Sequence, residues 1–180
     1  MAQRTPETGI SNPDQTPEST ARVAESGALA SERRLDRLLV AVDLGDGSDH
    51  VIRFARRMAG PSAEIMLVHV VCDLESLLDA YVCKKPLPEL QSDLVIEGKA
   101  RLRRLAQECF EGMRPPREFV LNGTAWSEIV ATARRHHADA IVIGSQSQHE
   151  PADHHIVGGT VARVLWHAPC AVVVVPPEEE

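Results

Sequence analysis

An α/β domain carrying a five-stranded, parallel, doubly wound sheet is what this sequence predicts. Three observations carry that expectation. Short runs of Val, Ile, Leu and Ala recur along the chain, segments with helical spacing of apolar residues separate them, and Gly, Pro, Asp and Ser mark the joints. Strands that alternate with helices pair in parallel, because each helix returns the chain to the same end of the sheet.

Residues 1–34 are rich in Thr, Ser, Pro, Glu, Gln and Ala without an apolar period, so they read as a disordered tail. The folded domain is expected over residues 35–177, with an acidic tail at 178–180. Leu38 to Val42 forms the first buried strand, closed by Asp43 and the Gly45-Asp46-Gly47-Ser48 turn. Ser48 or Asp49 is placed to cap the helix that follows, with Val51, Ile52, Ala55 and Met58 inward and Gly60-Pro61 as its stop. Glu64 to Val71 is apolar on both faces, as a strand covered on both sides must be. A short helix is expected near Leu74 to Tyr81, then a breaker at Lys85-Pro86-Leu87-Pro88, then a helix from Leu90 to Gly112. That helix turns Leu94, Leu102, Leu105, Ala106 and Cys109 inward and Arg101, Arg103 and Arg104 outward. Strands follow at Glu118 to Leu121, Ala140 to Ile143 and Ala171 to Val175. Helices are expected over Ala125 to His136 and Thr160 to His167, the latter stopped by Ala168-Pro169.

A chain of 180 residues with 43% hydrophobic content supports one core. The net charge of −7, with Lys and Arg scattered, leaves no basic stripe for nucleic acid. No apolar run is long enough to span a bilayer, and no signal peptide is legible; a cytoplasmic location is the expectation. Cys72, Cys83, Cys109 and Cys170 have neither redox nor zinc spacing, which suits reduced thiols.

In an open parallel sheet ligands bind at the carboxyl ends of strands, where the winding reverses. Asp43 ends the first strand and Gly144 the fourth, and Gly158-Gly159-Thr160 opens a helix whose N–H groups and dipole suit an anion. The sequences VAVD at Val40 to Asp43, LVHV at Leu67 to Val70 and NGTAWSEIVATA at Asn122 to Ala133 belong to a recognisable pattern. ADAIVIGS at Ala138 to Ser145 and GTVARVLWHAPCAVVVV at Gly159 to Val175 complete it. Together they resemble the universal stress protein family over Arg34 to Pro176. The resemblance implies a Rossmann-like sheet of order 3-2-1-4-5, similar to the adenine nucleotide alpha hydrolases, frequent homodimerisation, and ATP binding in one subfamily.

By the same resemblance Ala41, Asp43, Val70 and Ile143 would line the adenosine side of a nucleotide site. Gly144, Ser147, Gly159, Thr160 and Val161 would face the phosphates. The subfamily pattern is a glycine, two residues, a second glycine, nine residues, then glycine with Ser or Thr. Gly144 and Gly159-Thr160 match its ends, whereas Ser147 replaces the second glycine and Gln148 to Gly158 supply eleven spacer residues. A Cβ at that position obstructs close approach of backbone to phosphate. The expected function is therefore a regulatory, stress-response module with a degenerate ATP-type pocket, in which nucleotide binding is weak or lost. The alternatives are an ATP-binding protein with slow hydrolysis and a ligand-free interaction protein. An ATP pyrophosphatase reading of Gly45 to Asp49 fails on residue order.

Several residues have a plainer use beside the functional one. Asp43 either accepts a hydrogen bond from a nucleoside or caps its own loop, and Thr160 serves equally as a helix cap. His149, Asp153, His154 and His155 have metal-ligand chemistry but read as a solvated loop. His69 is expected to satisfy itself against backbone. His136, His137 and His167 fall in last turns of helices, where a protonated ring complements the dipole. Cys83, beside Lys84 and Lys85, reads as a surface thiol. The last strand, Cys170 to Val175, is an apolar edge expected to pair with a second copy of the chain.

Overall fold

Leu38, Leu39 and Val40 are wholly excluded from solvent, and successive side chains of a strand point to opposite faces, so layers must cover both sides of the sheet they occupy. The computed structural model describes residues 35–72, 87–145 and 158–178, and it supplies those layers. The elements are β1 (Arg37–Ala41), α1 (Ser48–Met58), β2 (Glu64–Val71), α2 (Leu87–Cys109), β3 (Arg117–Asn122), α3 (Ala125–Arg135), β4 (Ala140–Gly144), α4 (Gly159–His167) and β5 (Ala171–Val175). All strand pairs are parallel, in the order β3-β2-β1-β4-β5.

One face of the sheet packs Val40, Leu67 and Val142 against Val51, Ile52 and Ala55 of α1 and Leu102, Ala106 and Cys109 of α2. The other packs Leu39, Met66 and Ile141 against Ile129, Val130 and Ala133 of α3 and Val161 and Val164 of α4. The winding therefore runs outward from β1 to β3 under α1 and α2, then restarts at β4 on the other side of β1 under α3 and α4. The reversal falls between β1 and β4.

Three local expectations need correction. The helix expected from Leu90 begins at Leu87, because a proline at position 88 sits in a first turn, where its missing N–H costs no helical bond. Its end falls at Cys109 rather than Gly112, which takes the left-handed conformation (φ 70°) in the turn that brings the Met113 N–H to the Phe110 carbonyl. Neither Ser48 nor Asp49 caps α1; the cap position is Gly47, and no side chain bonds there.

At the end of α3, His137 takes a left-handed conformation (φ 51°). The Ala138 N–H reaches the Ala133 carbonyl and the His137 N–H reaches that of Arg134, which together close a Schellman motif. The His136 side chain is partly buried rather than turned to solvent. Its ring lies against Phe119 at 4.8 Å, and burial, with Arg117 and Arg135 nearby, pushes its pKa below the ordinary histidine value. The expectations for residues 1–34, for the helix at Leu74 to Tyr81, for Cys83 and for Ser147 through His155 lie outside the described residues.

Candidate functional site

The carboxyl ends of β1, β2, β4 and β5 open onto one cavity of about 490 Å³ at the switch point. Its floor is apolar: Ala41 from β1, Val68 and Val70 from β2, Ile143 from β4, Ile129 from α3 and Val161 from α4. Side chains near the carboxyl ends of the strands face the crevice at the switch point, and Ile129 and Val161 close it from α3 and α4. Gly144, Ser145, Gly158 and Thr160 form the wall on the α4 side, and Asp43, Asp46, Gly47, Ser48 and His50 form the wall on the α1 side.

Of the residues expected at a nucleotide site, Ala41, Asp43, Val70, Ile143, Gly144, Thr160 and Val161 are brought together around this cavity. Gly159 is exposed, and an added Cβ there would meet nothing within 4 Å. Gly158 faces the cavity in its place, its N–H donating to the Ser145 carbonyl at 3.3 Å. Thr160 does not cap α4; the cap position is Gly158, and the first turn holds no acidic residue.

Asp43 caps its own loop. Its Oδ1 accepts the Gly45 N–H at 2.9 Å and the Ser48 hydroxyl at 3.1 Å. The intervening Leu44 is left-handed (φ 64°) and buried, a conformation disfavoured for a γ-branched residue. Its side chain anchors in the α1–α2 core layer, and Arg101 Nη2 donates to its carbonyl at 2.8 Å. Three hydrogen bonds and the buried Leu44 side chain thus hold the loop that walls the cavity.

His69 behaves as expected, with Nδ1 donating to the Val42 carbonyl at 3.0 Å. Burial holds its pKa below the usual value, offset in part by that bond and by Asp43, and reinforced by Arg101. The tautomer follows, since a carbonyl accepts only from a protonated Nδ1. Gly98 of α2 makes room for the ring, because a Cβ there would lie 3.3 Å from His69 Cδ2.

No local sequence pattern marks the contribution from the chain beyond β5. Pro176 and Pro177 line the cavity, and His50 Nδ1 donates to Glu178 Oε1 at 2.8 Å. The pair is 128 residues apart in sequence, beyond the reach of any local pattern.

The sequence-family model described as the universal stress protein family matches residues 34–176. The chain belongs to the universal stress protein family. Solved structures agree on the fold. Universal stress protein UspA from Lactobacillus plantarum is 27% identical, with a TM-score of 0.64 over 79% of this chain and 98% of that one. The hypothetical protein MJ0577 is 18% identical, with a TM-score of 0.69 over 82% and 99%. The universal stress protein from Archaeoglobus fulgidus in complex with dAMP is 22% identical, with a TM-score of 0.54 over 77% and 95%. No curated protein matches the chain significantly. Among the described residues, this stress protein has no helix long and apolar enough to cross a membrane and no group of side chains suited to a metal ion.

Proposed function

We propose that this universal stress protein is a regulatory module that holds an adenine nucleoside or nucleotide weakly and acts by binding rather than catalysis. The observation that carries the reading is the cavity of about 490 Å³ at the switch point, apolar on its floor and bounded by Gly158 and Thr160 at the start of α4. That volume lies within the range of small-ligand sites, and a planar base with one polar end fits such a lining. The dAMP complex of the Archaeoglobus relative supports the ligand class. Ser147 and the long spacer support weak binding, for the steric reason given by an added Cβ near phosphate. No lysine or arginine is among the described lining residues, which favours binding over phosphoryl transfer. The free Cys72, Cys109 and Cys170 suit a reducing, cytoplasmic setting.

Isothermal titration with AMP and cyclic AMP tests the proposal. Saturable binding that is lost in Val70→Trp, which fills the apolar floor, is the expected result. Heat uptake unaffected by that substitution would place the ligand elsewhere and defeat the reading.

A further inference from the structure

The chain beyond β5 bounds the cavity without the support that the sheet and helices give its other walls. Val175 is buried in the core layer under α1, and its carbonyl accepts the Ser145 N–H at 2.8 Å. The ladder to β4 ends there, with Val175 opposite Gly144. Pro176 and Pro177 follow, and they line the cavity while remaining exposed. Neither has an N–H to give a neighbouring strand. A residue that precedes proline is driven toward extended backbone, so Val175 and Pro176 carry the chain outward as a short, stiff arm.

That arm is fastened by one bond. His50 Nδ1 donates to Glu178 Oε1 at 2.8 Å, and His50 stands in the wall that α1 supplies. The bond needs no charge on the ring, because an imidazole with its proton on Nδ1 donates as an imidazolium does. The Glu178 side chain is 72% exposed and that of His50 17%, so water competes for the contact and it has the strength of an ordinary surface pair. Lifting the arm breaks this bond and no ladder bond, which sets it among the elements of a fold that open most readily.

We propose that residues 176–178 form a strap that gates the cavity, held closed by the bond between His50 and Glu178 and admitting or discharging a ligand when that bond breaks. His50 and Glu178 are then positioning residues, acting through Pro176 and Pro177. The gate stands without a nucleotide; its use on one rests on the nucleoside reading above. A gate also differs kinetically from a contact. A strap that only opens and closes the way changes association and dissociation by the same factor and leaves Kd nearly unchanged, whereas a strap that grips the ligand changes dissociation, and Kd with it.

Access to the floor is measured first without ligand. Val70→Cys places a thiol on the apolar floor, and its alkylation by N-ethylmaleimide, followed at that position by mass spectrometry, reports how often the cavity is open; Ala41→Cys gives the same measurement at a second floor position. Adding Glu178→Ala should speed alkylation by about two- to fivefold. Glu178→Gln, which keeps an acceptor for the Nδ1 hydrogen, should restore most of the protection. Alkylation that Glu178→Ala leaves unchanged at both positions overturns the gate, and Glu178→Gln as fast as Glu178→Ala overturns the hydrogen bond as its fastening. NMR exchange measurements with AMP, on the chain without the added thiol, then give both rates. They should rise together in Glu178→Ala with Kd held within about twofold; a rise in dissociation alone makes the strap a ligand contact and overturns gating. Failure of AMP to bind defeats the nucleoside reading, while alkylation of the floor thiol still decides the strap.

Discussion

Replacing Asp43 by Ala separates its structural use from any contact with a ligand, because the cost can be worked out without one. The carboxylate is exposed, so loss of its bond to the Gly45 N–H is largely made good by water and costs about 0.5 kcal/mol. The bond to Ser48 is different. Ser48 is only 3% exposed, and without Asp43 its hydroxyl becomes a buried polar group lacking its acceptor, a loss of about 1–2 kcal/mol. Asp43→Ala should therefore destabilise the domain by about 2 kcal/mol, whereas Asp43→Asn, which keeps an Oδ1 acceptor, should cost well under half of that. Adding Ser48→Ala to Asp43→Ala removes the stranded hydroxyl and should recover about 1 kcal/mol, so the double variant is more stable than Asp43→Ala alone. Urea denaturation of the parent, the three single variants Asp43→Ala, Asp43→Asn and Ser48→Ala, and the double variant measures this directly. A cost for Asp43→Ala below about 0.5 kcal/mol, or a Ser48→Ala penalty that simply adds, would refute the loop-capping account.

Thr132 is 1% exposed on α3 and its hydroxyl has no hydrogen-bond partner; Thr132→Val keeps the shape and should raise stability by about 1 kcal/mol in urea denaturation. The folded-state pKa values of His69 and His136 lie below the ordinary 6.5, so between those lowered values and 6.5 the unfolded chain binds more protons. Stability should be level above about pH 7 and fall as pH drops below 6.5; in His69→Gln the fall should be shallower, and an unchanged profile in that variant would exclude His69 as a source. We propose that β5 pairs with a second copy, as its edge position and the neighbouring Trp166, 86% exposed, suggest. The Val175 carbonyl accepts the Ser145 N–H, and backbone groups alternate sides along a strand. Val173 thus faces β4, while Val172 and Val174 face the open edge. Light scattering should show a dimer that Val174→Pro converts to a folded monomer, whereas Val173→Pro breaks the sheet itself; a monomeric parent, or a dimeric Val174→Pro, would exclude this edge.

Strand β2 was legible from the sequence to the residue, Glu64 to Val71, because a strand buried on both faces must be continuously apolar and the chain is punctuated at each end. The inward faces of α2 and α3 were legible for a related reason: helical period ties burial to spacing, whatever the partner. Glycine and aspartate at strand ends marked the crevice, since few other residues close a strand and turn tightly. Helix ends were misjudged where one proline served as an N-terminal residue rather than a breaker. What tertiary structure alone decided were the choices among partners. Nothing in the sequence says whether Asp43 turns to a ligand or to Ser48, whether Gly158 or Gly159 faces the cavity, or whether Glu178 trails into solvent or reaches His50. Periodicity encodes which side of an element is buried, but a hydrogen bond between residues far apart in sequence depends on where the packed layers bring two loops, and that position exists only once the sheet has been assembled.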